Sequence, residues 1–280
     1  MSGSTIAIDI SKVRGDQQLS QTDRIAVEEP LEIQLCSATL GGAAAKSISI
    51  TMRTPGDDAE LAVGFLYTES IIHNPSQIVS VEHIGETDTA TGLQNKIRIE
   101  LRPDVEIDIS KLERHFYTTS SCGVCGKASI DALHITGLET LQENRSEFSR
   151  EVIVDMPARL MAGQHLFSET GGLHAAALFD QNGDIIVMRE DVGRHNAVDK
   201  VIGWMFLNGR LPAQRHGLLV SGRASFELMQ KSLVAGIPLL AAVGAPSSLA
   251  VRLAKDFGMT LIGFLRDGGF NIYSEKTRIT

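Results

Sequence analysis

The chain reads as an α/β protein (α+β overall) built in two unlike parts, and three observations carry that expectation. Its 280 residues, 43% apolar and 21% charged, suit one large or two modest globular domains. The first half alternates apolar and polar residues in short runs around one helical segment. The second half interleaves continuously apolar runs with helical ones, the rhythm of strands covered on both faces.

Taken in order, residues 1–28 are polar without sustained periodicity and read as a mobile tail with room for one strand. Residues 29–116 read as an α+β roll. Leu31 to Cys36 and Ser47 to Met52 alternate like half-buried strands, and Cys36, on the first of them, is expected in the core. Asp57 and Asp58 precede a helix from Ala59 to Ile72, with Leu61, Phe65 and Leu66 at helical spacing and the acidic residues at the favourable end of its dipole. Ile78 to Ile84 and Lys96 to Leu101 supply two further strands. Residues 117–127 form a cysteine-bearing loop and 128–154 a linking segment. From 155 to 280 a second domain is expected. Its first helix begins at Asp155, with Pro157 near the first helical position and Leu160, Met161 and His165 on one side. Ala175 to Phe179 and Ile185 to Met188 flank Asn182-Gly183, a hairpin turn signal. A helix over Asn196 to Leu207 follows. Strands at Gly217 to Val220, Ile237 to Val243 and Met259 to Leu265 then alternate with helices at Ser225 to Ala235 and Ser247 to Phe257, giving an α/β sandwich with a partly parallel sheet.

Composition narrows the function classes. The balance of 26 Lys+Arg against 34 Asp+Glu gives a net charge of −8, which disfavours broad nucleic-acid binding. No apolar stretch approaches the ~18 residues that would span a bilayer, and no signal peptide is visible at the N-terminus, so no membrane partner is expected. Three cysteines are too few for a disulfide scaffold and suit a reducing, cytoplasmic compartment.

The sharpest motif is Cys122-Gly-Val-Cys125, inside the loop Tyr117 to Gly126 of mostly small residues. Two sulfurs at this spacing can hold a metal, form a redox disulfide, or carry and resolve a persulfide. A structural zinc would need four ligands, yet the remaining cysteine is Cys36, and His115 and His134 are irregularly spaced, so no structural metal is expected. Lys127 and a nearby helix start favour the thiolate that attacks an incoming sulfur. The bland alternative, two small residues in a glycine loop, fits poorly because structural cysteines are usually buried.

Three other segments suit ligands. Ser221-Gly222-Arg223 and Gly244-Ala-Pro-Ser-Ser each follow a strand and open a helix, at the carboxyl ends of neighbouring strands. Either alone reads as a helix cap. Together, with Arg223, they favour a phosphate group. Arg189-Glu-Asp-Val-Gly-Arg-His195-Asn196 crowds two arginines and a histidine at a helix start. A solvated helix entrance would account for Glu190 and Asp191. It would not account for the cations, which an anionic ligand would, and His195 suits a proton shuttle. Phe264, Leu265, Arg266, Asp267, Gly268 and Gly269 end the last central strand, as a ligand contact or as a plain hairpin into Phe270 to Ser274. His174 reads as a hydrogen-bonded core residue.

Thr119-Ser-Ser-Cys-Gly-Val-Cys-Gly-Lys127, Thr170-Gly-Gly-Leu-His-Ala-Ala176, Glu190-Asp-Val-Gly-Arg-His-Asn-Ala197, Gly64-Phe-Leu-Tyr-Thr-Glu69 and Ser221-Gly-Arg-Ala-Ser225 together resemble the formate dehydrogenase accessory sulfurtransferase family, FdhD. The likeness runs in order from roughly Glu29 to Ser274. It implies a sulfurtransferase that takes sulfur from a cysteine desulfurase as a persulfide on Cys122, with Cys125 as its partner. The sulfur then passes to the bis-molybdopterin guanine dinucleotide cofactor before its insertion into formate dehydrogenase. It also implies a cytidine-deaminase-like C-terminal fold, a homodimer, and a guanine-nucleotide contact at Phe264 to Gly269, for which GDP is an analogue. Two rivals follow. A zinc-dependent deaminase-like hydrolase needs His-x-Glu and Pro-Cys-x-x-Cys, but His174-Ala-Ala176 lacks the Glu and Ser121 stands before Cys122. A non-enzymatic chaperone for the molybdenum cofactor would need Cys122 little.

Overall fold

Alternation in the first half builds a four-stranded sheet. In this computed structural model, which describes residues 3–38, 45–89, 91–107, 138 and 140–280, β3 (Glu29–Cys36) lies between antiparallel β4 (Lys46–Arg53) and parallel β6 (Lys96–Leu101), and β5 (Ile78–His83) edges β6. Leu31, Ile33, Leu35, Ile97 and Ile99 point to one face and pack on α1 (Asp58–Thr68) through Leu61, Ala62 and Leu66. Cys36 falls on the opposite phase of β3 and is half-buried, which corrects its expected core position. A period of two puts neighbours in a strand on opposite faces, and the apolar phase here is 31, 33, 35.

The N-terminal segment also departs from the expected mobile tail. β1 (Thr5–Arg14) and β2 (Gln17–Ala26) form an antiparallel hairpin, turned at Gly15 with φ 58°. Its strands are largely exposed, so the burial-driven alternation that marks a strand is weak there. β2 leans on α3 (His165–Thr170), where Arg24 pairs with Glu169 at 3.0 Å.

The second half is a six-stranded sheet in the order β12-β11-β10-β9-β7-β8. β9 (Gly217–Val220), β10 (Leu239–Ala242) and β11 (Thr260–Arg266) run parallel; β7 (His174–Phe179), β8 (Ile185–Asp191) and β12 (Gly269–Ser274) complete it with antiparallel pairings. Leu218, Val220, Leu240, Ala242 and Leu261 face α4 (Arg194–Leu207), α5 (Phe226–Val234) and α6 (Ser248–Phe257). Leu219, Leu239, Ala241 and Ile262 face α2 (Arg150–Gly163). These strands therefore bury both faces, as their unbroken apolar runs require.

Helix α2 begins five residues before the expected Asp155. Ser149 caps it by accepting from the Val152 amide at 3.2 Å, and Pro157 lies in its interior. Burial of Ile153, Met156 and Leu160 against the sheet carries the helix through the proline, which removes one backbone bond. Met161 faces solvent, and His165 opens α3.

The two parts join where α1 crosses α4. A Cβ on Gly64 would stand 1.9 Å from the Asp199 carbonyl oxygen, and one on Gly203 would stand 1.8 Å from that of Glu60. Only glycine permits backbones this close.

Candidate functional site

The carboxyl ends of β9, β10 and β11 lie side by side, and the turns that leave them are bonded together. The Gly244 amide donates to the Gly222 carbonyl at 2.9 Å, Ser247 to Ala224 at 2.9 Å, and Phe264 to Gly244 at 3.0 Å. Two expected ligand turns and the β11 terminus thus form one continuous ledge. The serines at its rear act as caps: Ser225 accepts from the Leu228 amide and Ser247 from that of Ala250. Ser221 extends the β7–β9 pairing, donating its amide to the Ala175 carbonyl and accepting the Ala175 amide on its hydroxyl. Arg223 is exposed and makes no ion pair among the described residues.

At the β11 end the backbone is irregular. The pairing with β12 slips between Gly263 and Arg266, and Phe264 takes φ 53°, a conformation costing a bulky residue about 1–3 kcal/mol. The Phe264 ring, 36% exposed, lies at the rim with the Arg266 guanidinium 5.6 Å from its centroid. Asp267 and Gly268, at φ 54° and 75°, turn the chain into Gly269, which pairs with Arg266. Leu265 is a correction to the expected contact set: its side chain is buried in the cluster under α2, so only its backbone reaches this edge.

The charged run before α4 divides by role. Arg189 is committed to Glu60, at 2.6 and 2.7 Å, with Asp57 at 3.4 Å. Glu190 accepts the Leu166 and Phe167 amides that open α3. Asp191 is fully buried rather than part of a solvated entrance; it accepts from Lys200 at 2.7 Å, the Gly193 amide, Asn196 and the Thr54 amide. His195 places Nε2 3.3 Å from Ser225 Oγ and 3.4 Å from Glu227 Oε2. Burial lowers its pKa, with Glu227 working against that shift and Arg194 adding to it.

His195 also borders a cavity of about 200 Å3 with Thr51, Phe65, Asp199, Glu227 and Lys231. Asp199 and Lys231 are buried together at 3.0 Å. Burial pushes Asp199 up to about 6 against the pull of Lys231. Burial opposes the Lys231 charge, yet Asp199, Glu69 and Glu227 hold its pKa above the ordinary lysine value. Sequence reasoning passed over this pair, although charged residues in the otherwise apolar run Ala197 to Phe206 were a visible signal.

His174, expected as a hydrogen-bonded core residue, is half-buried at the start of β7. Because β7 runs antiparallel to β9, that start stands at the carboxyl end of β9: a Cβ on Gly222 would lie 3.5 Å from His174 Nδ1 and 3.9 Å from Arg194 Cδ. Burial first, then Arg194, lowers the His174 pKa, with Asp191 opposing. Cys122, Cys125, Lys127, His115 and His134 lie outside the described residues. Among the described residues no three His, Cys, Asp or Glu side chains come together as a metal set, and no helix is long and apolar enough to cross a membrane.

Known proteins are similar in sequence and in architecture. Residues 26–280 match the FdhD/NarQ family. A protein named sulfur carrier protein FdhD from Streptomyces avermitilis is 46% identical over 272 residues, covering 96% of this chain and 94% of its own. Those of the same name from Mycolicibacterium paratuberculosis and Sulfurisphaera tokodaii are 47% and 40% identical, covering 96% and 97% of this chain and 97% and 98% of their own. A crystal structure from Desulfotalea psychrophila, described as a formate dehydrogenase accessory protein, superposes with a TM-score of 0.74 at 23% identity over 99% of both chains and shares the mixed α/β fold. With a family match across nearly its whole length and relatives at this identity, the chain belongs to the FdhD/NarQ family.

Proposed function

We propose that the protein is a sulfurtransferase that relays persulfide sulfur from a cysteine desulfurase to bis-molybdopterin guanine dinucleotide, readying that cofactor for formate dehydrogenase. The observation that carries the cofactor half is the ledge: three strand ends hydrogen-bonded into one surface, with Phe264 and Arg266 at its rim and Arg223 exposed without an ion-pair partner. An aromatic face and arginine suit a purine, and Arg223 with Gly222 suits phosphate. The names of the relatives support the sulfur half.

A single transfer balances with the groups named, and a thiol reductant returns the two cysteines to thiols before the next cycle. The Cys122 thiolate attacks the outer sulfur of the desulfurase persulfide; the donor's S–S bond breaks, its cysteine thiolate leaves, and Cys122 holds the new persulfide. Attack by the Cys125 thiolate on Cys122 Sγ then expels the outer sulfur as sulfide for the cofactor and leaves a Cys122–Cys125 disulfide. Two thiols are oxidised as one sulfane sulfur is reduced. His195, whose pKa burial lowers, stands 3.3 Å from Ser225 at the rear of the ledge and suits proton transfer there.

The test is activation of formate dehydrogenase by cysteine variants. Cys122→Ala should abolish it, and Cys36→Ala should leave it nearly intact. Normal activation by Cys122→Ala would remove the relay and leave a cofactor-binding chaperone as the better account.

A further inference from the structure

We propose that Arg194 and His174 grip phosphate groups of the ligand held at the ledge, an assignment that rests on the nucleotide reading above and names residues it did not include. Arg194 opens α4, and its Nε is buried without a hydrogen-bond partner. Among the described residues the guanidinium makes no ion pair. The contrast with the other half-buried or buried arginines of this region is sharp: Arg53 is taken by Asp58 and Arg189 by Glu60.

The neighbouring carboxylates explain why Arg194 stays unneutralised. Asp191 is filled by Lys200, Asn196 and two backbone amides; Glu190 caps α3; Glu227 lies at His195. A buried guanidinium donor left without a partner is costly, and an anion is the partner its planar fork fits. The location follows from Gly222, where a Cβ would stand 3.5 Å from His174 Nδ1 and 3.9 Å from Arg194 Cδ. The two side chains therefore flank the same turn that carries Arg223. The His174 ring likewise makes no hydrogen bond among the described residues and has an N–H to give. A phosphate placed there would meet Arg194, His174 and Arg223 at once.

The experiment is calorimetric titration of the full chain and its Arg194→Ala, Arg194→Lys and His174→Gln variants with GDP, guanosine and inorganic pyrophosphate. Arg194→Ala should weaken both GDP and pyrophosphate by about tenfold or more and leave guanosine unchanged, with Arg194→Lys recovering part of the loss. Thermal midpoints should not fall below the wild-type value, because Arg194 makes no internal bond to lose. Wild-type GDP binding that persists in Arg194→Ala would overturn the assignment while leaving the nucleotide reading intact. Arg194-dependent pyrophosphate binding with no gain from the guanosine part would support a phosphate site and sink the nucleotide reading. Binding of neither ligand to the wild-type chain would overturn both.

Discussion

Phe264 and His174 each sit in a setting unlike the default for their chemistry. Phe264 accepts a left-handed backbone to stand at the sheet edge, a strain that persists because its amide is bonded to Gly244 and the slipped β11–β12 pairing holds it. His174 is kept neutral by burial and by Arg194. In an unfolded chain it takes a proton near 6.5; in the fold it does so lower, so its contribution to stability is present above 6.5 and is lost as pH falls through the depressed value. The urea midpoint should accordingly fall between about pH 7 and pH 5, and His174→Gln should fall less over that range. An equal fall in both proteins would show that His174 is not held neutral. Neither residue's setting was legible from its local sequence. The sequence marked Phe264 as the end of a strand and a ligand contact but not its left-handed backbone, and the placing of His174 depends on β7 running antiparallel to β9, a long-range choice that no nearby residue encodes.

At the scale of elements, legibility followed burial. β9 and β10 were plain in the sequence because both faces are covered and their residues are uniformly apolar, and the turns after them were readable as strand-to-helix junctions. The β1–β2 hairpin was not, since solvent meets most of its side chains and leaves no alternation to read. Helix α2 was placed late because Pro157 resembled a start; the real start rests on Ser149 and on packing of Ile153 and Met156. The α1–α4 crossing makes a prediction whose sign is decisive. Alanine usually favours a helix over glycine by about 1 kcal/mol. At Gly64, however, a Cβ would overlap the Asp199 carbonyl, and forced separation of packed helices costs about 1–3 kcal/mol or more. Gly64→Ala should therefore lower unfolding stability by about 1 kcal/mol or more net in urea melts; an increase would show that the helices can part without cost.

Across the whole molecule, the α1–α4 joint sets a roll with a mixed four-stranded sheet against a doubly covered sheet, and the buried groups Asp191, Lys200, Asp199 and Lys231 line that seam rather than the open ledge. In the proposed relay the sulfur is carried by the cysteine motif, and its assignment to Cys122 over Cys125 rests on the family likeness, since spacing treats the two alike. The most direct measurement is mass spectrometry of the intact protein and its peptides after incubation with a cysteine desulfurase and cysteine. The account predicts one added sulfur atom on the peptide bearing Cys122, removed by reductant and absent from Cys122→Ala. An unmodified Cys122 with the added sulfur on Cys36, or no added sulfur at all while formate dehydrogenase is still activated, would contradict it.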